Sequence, residues 1–540
     1  MPPAAFDVLV VGSGPSGVQA AAEAVRRGLR VGLVDVGHVD EHYPALIPDK
    51  PFSEIRKSEP EQFRYFLGEP PEGLGRGGHE VGAQLTPPRM FLVKDADKYL
   101  PLASESFHPM QSLALGGLAA GWGAGSPVYE DFELRRAGLP AGEMRPFYEQ
   151  VVREIGVSGA ADDDVSPHLM PPGGLQDPLE IDSNAAAIFE NYRRRREGFL
   201  ARGFKLGRPP VAVLTRALGE RQPNPYHDMD FWSDARESVY RPRYTLRALQ
   251  KLPNFTYINK TLAVRFHDEE DGGVVLQATD LGSNGPVTFR GRRLLLAAGA
   301  INTTRLVLRS LNRYGTRVPV LCNPYTYVPC LNLPMLGREA CDRRHSLVQL
   351  TGILFPPEAP EEEVVAQFYS YRSLLLFRLA REMPLTPRLS FLMARLIVTS
   401  LVIVGVNHPD VPSPDRYLEL REKNGGEEFF GSYERSDEER KVQKRRERLV
   451  LRNLLALRCV PLQVLRLPAG ASIHYAGTLP FRDGDEPLTC TPEGRIRGTR
   501  NVYAADGSPW NFLPAKGLTL TLMANARRVA AAAVKGISSR

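Results

Sequence analysis

The spacing of apolar positions changes along this chain, and each change marks an element. Val8–Val11 is a short unbroken apolar run that ends at a glycine, so it predicts a buried strand. An alanine-rich amphipathic stretch follows and predicts a helix, and a second apolar run, Val31–Val34, ends in Asp35. Asn254–Phe266 ("NFTYINKTLAVRF") alternates as one strand, and Gly291–Leu311 reads as strand, small-residue turn and helix. The stretch "GLPAGEMRPFYEQVVREIGVSG" predicts a helix that stops at Gly156, and Thr519–Val534 predicts another. Ser436–Arg458 reads as a solvated helix opened by acids and closed by bases, and "CVPLQVLRLP" (459–468) as a buried strand.

Between these elements the texture differs. Residues 38–100 are rich in Pro, Gly and charge and read as an irregular excursion or lid. Residues 111–126 hold five glycines and one tryptophan, and 158–245 are loop-rich. Residues 312–465 form a block with its own helices and strands, and the last 75 residues return to the glycine- and alanine-rich style of the start. The expected fold class is α/β. A discontinuous Rossmann-like domain is assembled from 1–37, 101–160, 246–311 and 466–540, and 38–100 is the lid. A second, α+β substrate domain, mostly antiparallel sheet with helices, comes from 161–245 and 312–465.

Composition narrows the function classes. Apolar residues make up 43% and charged residues 24% of 540, ordinary for a globular protein with a large core. A formal charge of +6 with no basic stripe gives no case for nucleic acid. Cys322, Cys330, Cys341, Cys459 and Cys490 are odd in number and form no CxxC pair, so reduced thiols in a cytoplasmic protein are expected, and no metal site. The apolar start lacks a basic leader and reads as a strand, not a signal peptide. Ser390–Val406 is short for a membrane span and carries Arg395, so a helix followed by a core strand is expected. Tyr371–Leu396 mixes five arginines with large apolar residues; it either buries one face in the core or makes peripheral contact with a membrane surface.

The strongest local signal is Gly12-Ser-Gly14-Pro15-Ser16-Gly17 between the first strand and helix, with Asp35 18 residues beyond Gly17. Gly12 suits the tight turn, Gly14 the approach of a pyrophosphate, and Gly17 close helix–strand packing. The helix N-terminus offers free N–H groups to phosphate, and Asp35 can hold ribose hydroxyls. The motif alone leaves FAD or NAD open; a single N-terminal fingerprint leans to FAD.

Four segments together resemble the glucose–methanol–choline (GMC) flavoprotein oxidoreductases: the fingerprint, "GGLAAGWG" with "IGVSG", "LLLAAGAINTTRLVL", and "HYAGTLPF" followed by "RNVYAADGSPWNFLPAKGLTLTLMANARRVA". The resemblance spans the chain. It implies FAD and oxidation of a CH–OH group in a small-molecule alcohol, with a sugar-like or polyol substrate favoured and O2 or another acceptor taking the electrons. Some members tether the flavin to a histidine near the glycine–tryptophan motif; here Ala120-Gly121-Trp122 has none, so noncovalent FAD is expected. The resemblance places Gly116 and Gly117 against flavin or pyrophosphate, and Trp122 and Gly123 near the ring. It places Val264 at the adenine side, Ala298 and Gly299 under the cofactor, and Asp506 with Gly507 at the ribityl or pyrophosphate region. Leu518 and Thr519 would open a helix aimed at the flavin pyrimidine edge.

Of ten histidines, His474 in "ASIHYAGTLP" occupies the family's base position, where an imidazole can take the alcohol proton. His108 is the one other histidine near a flavin segment. The family's second catalytic histidine or asparagine falls on Gly517, so that partner is missing; Lys516, Asn511 or a group from 312–465 could stand in. Two other readings share the motifs: a flavin-bound lyase or isomerase in which His474 moves a proton without net redox, and a scaffold protein that retains FAD for structure.

Overall fold

Strand Ala5–Val11 is the axis of the first sheet, and its side chains explain its unbroken apolar run. Val8 and Val10 enter one core and Leu9 and Val11 another, because both faces of the strand are covered. The chain is seen here as a computed structural model that describes residues 5–40, 42–62, 64–65, 85–233, 235–270, 272–338, 345–370, 386, 388–390, 393, 397–423 and 425–537. Val31–Val34 and Gly285–Leu296 pair in parallel on either side of the axis strand. Phe255–Ile258 extends one edge in parallel. Val274–Asp280 and Thr261–Asp268 extend the other edge antiparallel, and Val502–Ala504 pairs in parallel with the end of Gly285–Leu296. Helices Pro15–Arg26 and Thr519–Ala533 fill the core on the Val8/Val10 face, and Ala141–Ile155 packs on the second of them.

The second seven-stranded sheet is antiparallel, in the order Cys459–Pro461, Tyr325–Asn332, Leu401–Asn407, Val364–Ser370, Leu350–Leu354 and Phe204–Gly207, with Leu465–Arg466 also on Tyr325–Asn332. Val328, Cys330, Val404 and Val406 pack on one face against helices Ser183–Arg194 and Asp437–Ala456. The alternate residues Tyr325, Tyr327 and Pro329 face a cavity. Residues of both sheets line this cavity.

Three sequence expectations change. Asn254–Phe266 is two strands, broken at Lys260 (φ 50°), and they lie at opposite ends of the first sheet's pairing order. The stretch 459–468 likewise holds two short strands. Helix Asp437–Ala456 keeps its acidic start, with Ser436 and Glu439 forming a reciprocal cap, yet it is not solvated all round. It buries Gln443, Arg446, Glu447, Val450 and Leu454, and no base stands in its last turn. Leu401–Asn407 is the core strand expected after 390. Most of 371–396 and of 66–84, with Cys341 and His79, lies outside the described residues. Among the described residues, no helix is long and apolar enough to cross a membrane.

Candidate active site

The three fingerprint glycines serve three different needs. A methyl on Gly17 would stand 1.8 Å from the Gly12 carbonyl oxygen, so helix and strand meet only because neither residue has a side chain. Gly12 has φ +100°, and its Cβ would press to 2.6 Å from the Ala297 carbonyl oxygen. Gly14 is different: nothing lies within 4 Å of its Cβ position, which opens onto a cavity of about 910 Å³. Pro15 begins the helix, where its missing N–H costs nothing.

The cavity is lined by Gly12, Gly14, Pro15, Ser16, Asp35, Gly117, Trp122, Gly123, Val264, Ala298, Gly299, Asp506, Gly507, Leu518, Thr519 and His474. Segments hundreds of residues apart in sequence therefore meet on one wall. Two expected residues stand behind that wall. Gly17 packs helix on strand, and Gly116 (φ +93°) gives its N–H to Ser13 Oγ at 2.9 Å. Ser13 Oγ in turn donates a short hydrogen bond to Asp35, and Tyr257 Oη donates to the same carboxylate oxygen at 3.2 Å. Burial raises the Asp35 carboxyl to about 6, against the pull of these two donors. Tyr257 carried no motif signal, since a lone tyrosine in a strand is unremarked until the fold sets it beside Asp35. Asp506 is buried and accepts from Thr303 Oγ1 at 2.6 Å and Ser508 N at 3.0 Å. Trp122 is anchored by its Nε1 on the Tyr240 carbonyl at 2.8 Å, while Arg241 holds the Trp122 carbonyl at 2.7 Å.

His474 lies outside regular structure, just before the two-residue strand Tyr475–Ala476. Its Nδ1 is 2.9 Å from Asn323 Oδ1. The Asn323 amide N–H groups go to the carbonyls of His408 (2.8 Å) and Pro514 (2.9 Å), so its oxygen faces the imidazole. Nδ1 must therefore carry the proton, and Nε2 keeps its lone pair. Nε2 has no hydrogen-bond partner among the described residues, and the ring lines the cavity. The ring lies deep in the protein, and burial lowers its pKa to about 4.

The stand-ins suggested for the missing partner take other places. Lys516 is fully buried, with its Nζ 3.2 Å from Glu130, 2.7 Å from Glu133 and 2.9 Å from Glu363. Burial opposes its charge, but the surrounding acids hold it protonated, while burial and Glu363 raise the carboxyl of Glu133 within the same cluster. A lysine so held is no base. Glu130, His168 and Glu363 stand close enough to hold a metal ion, but the Lys516 ammonium already lies against both carboxylates. Asn511 is tied to Phe481 O and Arg482, and neither it nor His108 lines the cavity. Asn323, from the 312–465 block, is the group that meets His474. Gly517 lines the cavity, and its Cβ position meets only ordinary contacts at 3.5 Å, so the backbone does not demand glycine there.

These walls fit FAD. The bare backbone at Gly14 leaves room for a diphosphate beside a helix N-terminus. Arg89 and Arg305 are buried on the same cavity with an unpartnered Nε each, and neither forms an ion pair among the described residues. Burial lowers both to about 9; Arg241 adds like-charge repulsion at Arg89, and at Arg305 the repulsion of Arg309 stands against the attraction of Glu427.

No model of a known protein family matches the chain. Paromamine 6'-oxidase of Streptomyces fradiae is 24% identical over 580 aligned residues, covering 99% of this chain and 92% of that protein. Formate oxidase superposes with a TM-score of 0.58 at 12% identity over 99% of both chains. A variant of Aspergillus oryzae RIB40 formate oxidase, described for the effect of its mutation on FAD modification, superposes equally well. At that identity the likeness shows a shared fold, and it runs the length of the chain.

Proposed function

We propose that this chain, a GMC-type flavin oxidoreductase, oxidises the CH–OH group of a small-molecule alcohol with His474 as the base. The single observation that carries this reading is the His474–Asn323 pair, which fixes the tautomer and leaves Nε2 free in the cavity. FAD, when bound, supplies the acceptor for the hydride that leaves the carbinol carbon. Gly12, Gly14 and Ser16 would hold its diphosphate, Asp35 its ribose, and the N-terminus of Thr519–Ala533 its pyrimidine edge. The binding would be noncovalent, since Ala120-Gly121-Trp122 offers no histidine.

His474 Nε2 takes the hydroxyl proton, and the imidazolium that forms is stabilised through Nδ1–H by Asn323 Oδ1. Gly517 offers the alcohol oxygen no second side chain, so His474 acts without the usual partner. The test is anaerobic mixing of the yellow, FAD-loaded protein with a panel of alcohols. Bleaching of the flavin, lost by roughly 10²–10⁴ in His474→Ala with FAD retained, is the expected result. Turnover of an alcohol without bleaching would instead identify a non-redox lyase or isomerase, and equal rates in wild type and His474→Ala would place the base elsewhere. Oxygen uptake compared with dye reduction distinguishes O2 from another acceptor.

A further inference from the structure

The second sheet turns one face to the cavity, and its pairing register shows what that face holds. Tyr327, Gly405 and Gln367 form one row across three strands, and Pro329, Ile403 and Tyr369 form the next. Tyr325 completes the face, its ring centroid 4.9 Å from that of Tyr327. Gly405, at the centre, leaves a hollow over which Tyr325 leans; a Cβ there would stand 2.4 Å from the Tyr325 hydroxyl. Tyr369 donates to Gln367 Oε1 at 3.1 Å, which leaves the Gln367 amide N–H groups for a guest.

This face carries phenols, the amides of Gln367 and Asn407 and apolar carbon, but no carboxylate among the described residues. Among the described residues, the acids on the cavity are Asp35 and Asp506, at the cofactor wall, and Asp228, which belongs to neither row nor strand of this face. A substrate ammonium placed here would lose water and meet no carboxylate of the described residues on this face, whereas a neutral ring stacks on tyrosine and shares hydrogen bonds with phenol and amide.

Building on the reading of the preceding subsection, we propose that the substrate is an uncharged, ring-bearing alcohol whose non-reacting body lies against Tyr325, Tyr327 and Tyr369, and not an amino sugar or other cationic alcohol.

The experiment uses the FAD-loaded protein with matched pairs: methyl glucoside against its amino-substituted analogue, and cyclohexylmethanol against a trimethylammonium alcohol. Binding is read from the perturbation of the flavin spectrum, and oxidation separately from anaerobic bleaching. The uncharged member of each pair should bind and react at least about tenfold better, the factor that corresponds to about 1.4 kcal/mol of unrepaid desolvation. Tyr327→Leu should raise KM for the uncharged member severalfold while the protein stays folded and FAD-loaded. Equal or better binding of the cationic members would overturn the proposal and make the tyrosines a cation cage. An unchanged KM in a folded, FAD-loaded Tyr327→Leu would also overturn it. Tight binding of uncharged members without bleaching would uphold the proposal and sink the oxidation reading instead.

Discussion

At the scale of the residue, the proposed chemistry rests on how His474 is held. The free imidazole titrates near 6.5, but burial lowers this one to about 4, so the neutral form, the one the proposed mechanism needs, persists well below neutrality. The rate of flavin reduction should rise with pH through about 4 and stay level across 6.5, measured by anaerobic stopped flow. Asn323→Ala should keep FAD, slow reduction by about tenfold or more as Nδ1–H loses its acceptor, and raise KM little. Asn323→Asp should move the rising limb to higher pH by placing a negative charge beside the imidazolium. The place of His474 on the cavity was legible in the sequence because its neighbours form a motif. Asn323, 151 residues earlier, was not, since its side chain gains meaning only when the second sheet brings it to the imidazole. The same distance hid the true role of Lys516, whose three glutamates come from segments far apart in the chain.

At the scale of the element, the strand–turn–helix units were legible because their signals are local. The strand ends, the glycine turn and the helix from Pro15 follow directly from spacing. The break at Lys260 was not legible, because alternation continues through it and only pairing with opposite edges divides the strand. The glycine turn yields a paired prediction. Gly17→Ala should lower the thermal midpoint of the FAD-free protein, by about 1–3 kcal/mol of overpacking, since a methyl collides with the Gly12 carbonyl. Gly14→Ala meets nothing in the protein and should leave that midpoint unchanged while weakening FAD binding, followed by flavin fluorescence. Equal effects in both would mean that Gly14 does not face the cofactor.

At the scale of the whole molecule, two sheets close on one cavity, and the buried Lys516 joins them. Glu130 and Glu133 flank the start of helix Asp131–Arg136, Glu363 precedes a strand of the second sheet, and Lys516 leads into the helix from Thr519. The arginine-rich 371–396 lies mostly beyond this description; if it meets lipid, the protein should sediment with anionic vesicles at low salt and release at high salt. The three-glutamate cluster has a consequence for the pH range that leads up to about 8. Burial, with Glu363 adding to it against the pull of Lys516, raises Glu133 to about 8. Between the ordinary glutamate range and about 8, the folded protein keeps a proton that the unfolded chain gives up. Stability therefore falls as pH rises through that window. The junction of the two halves is thus a latch that a proton helps keep shut, and raising the pH towards about 8 loosens it in a range where the His474 imidazole is already neutral. Glu133→Gln, which holds its hydrogen permanently, should flatten the decline in thermal midpoint between the ordinary glutamate range and about pH 8, and an unchanged decline would show that the proton sits elsewhere.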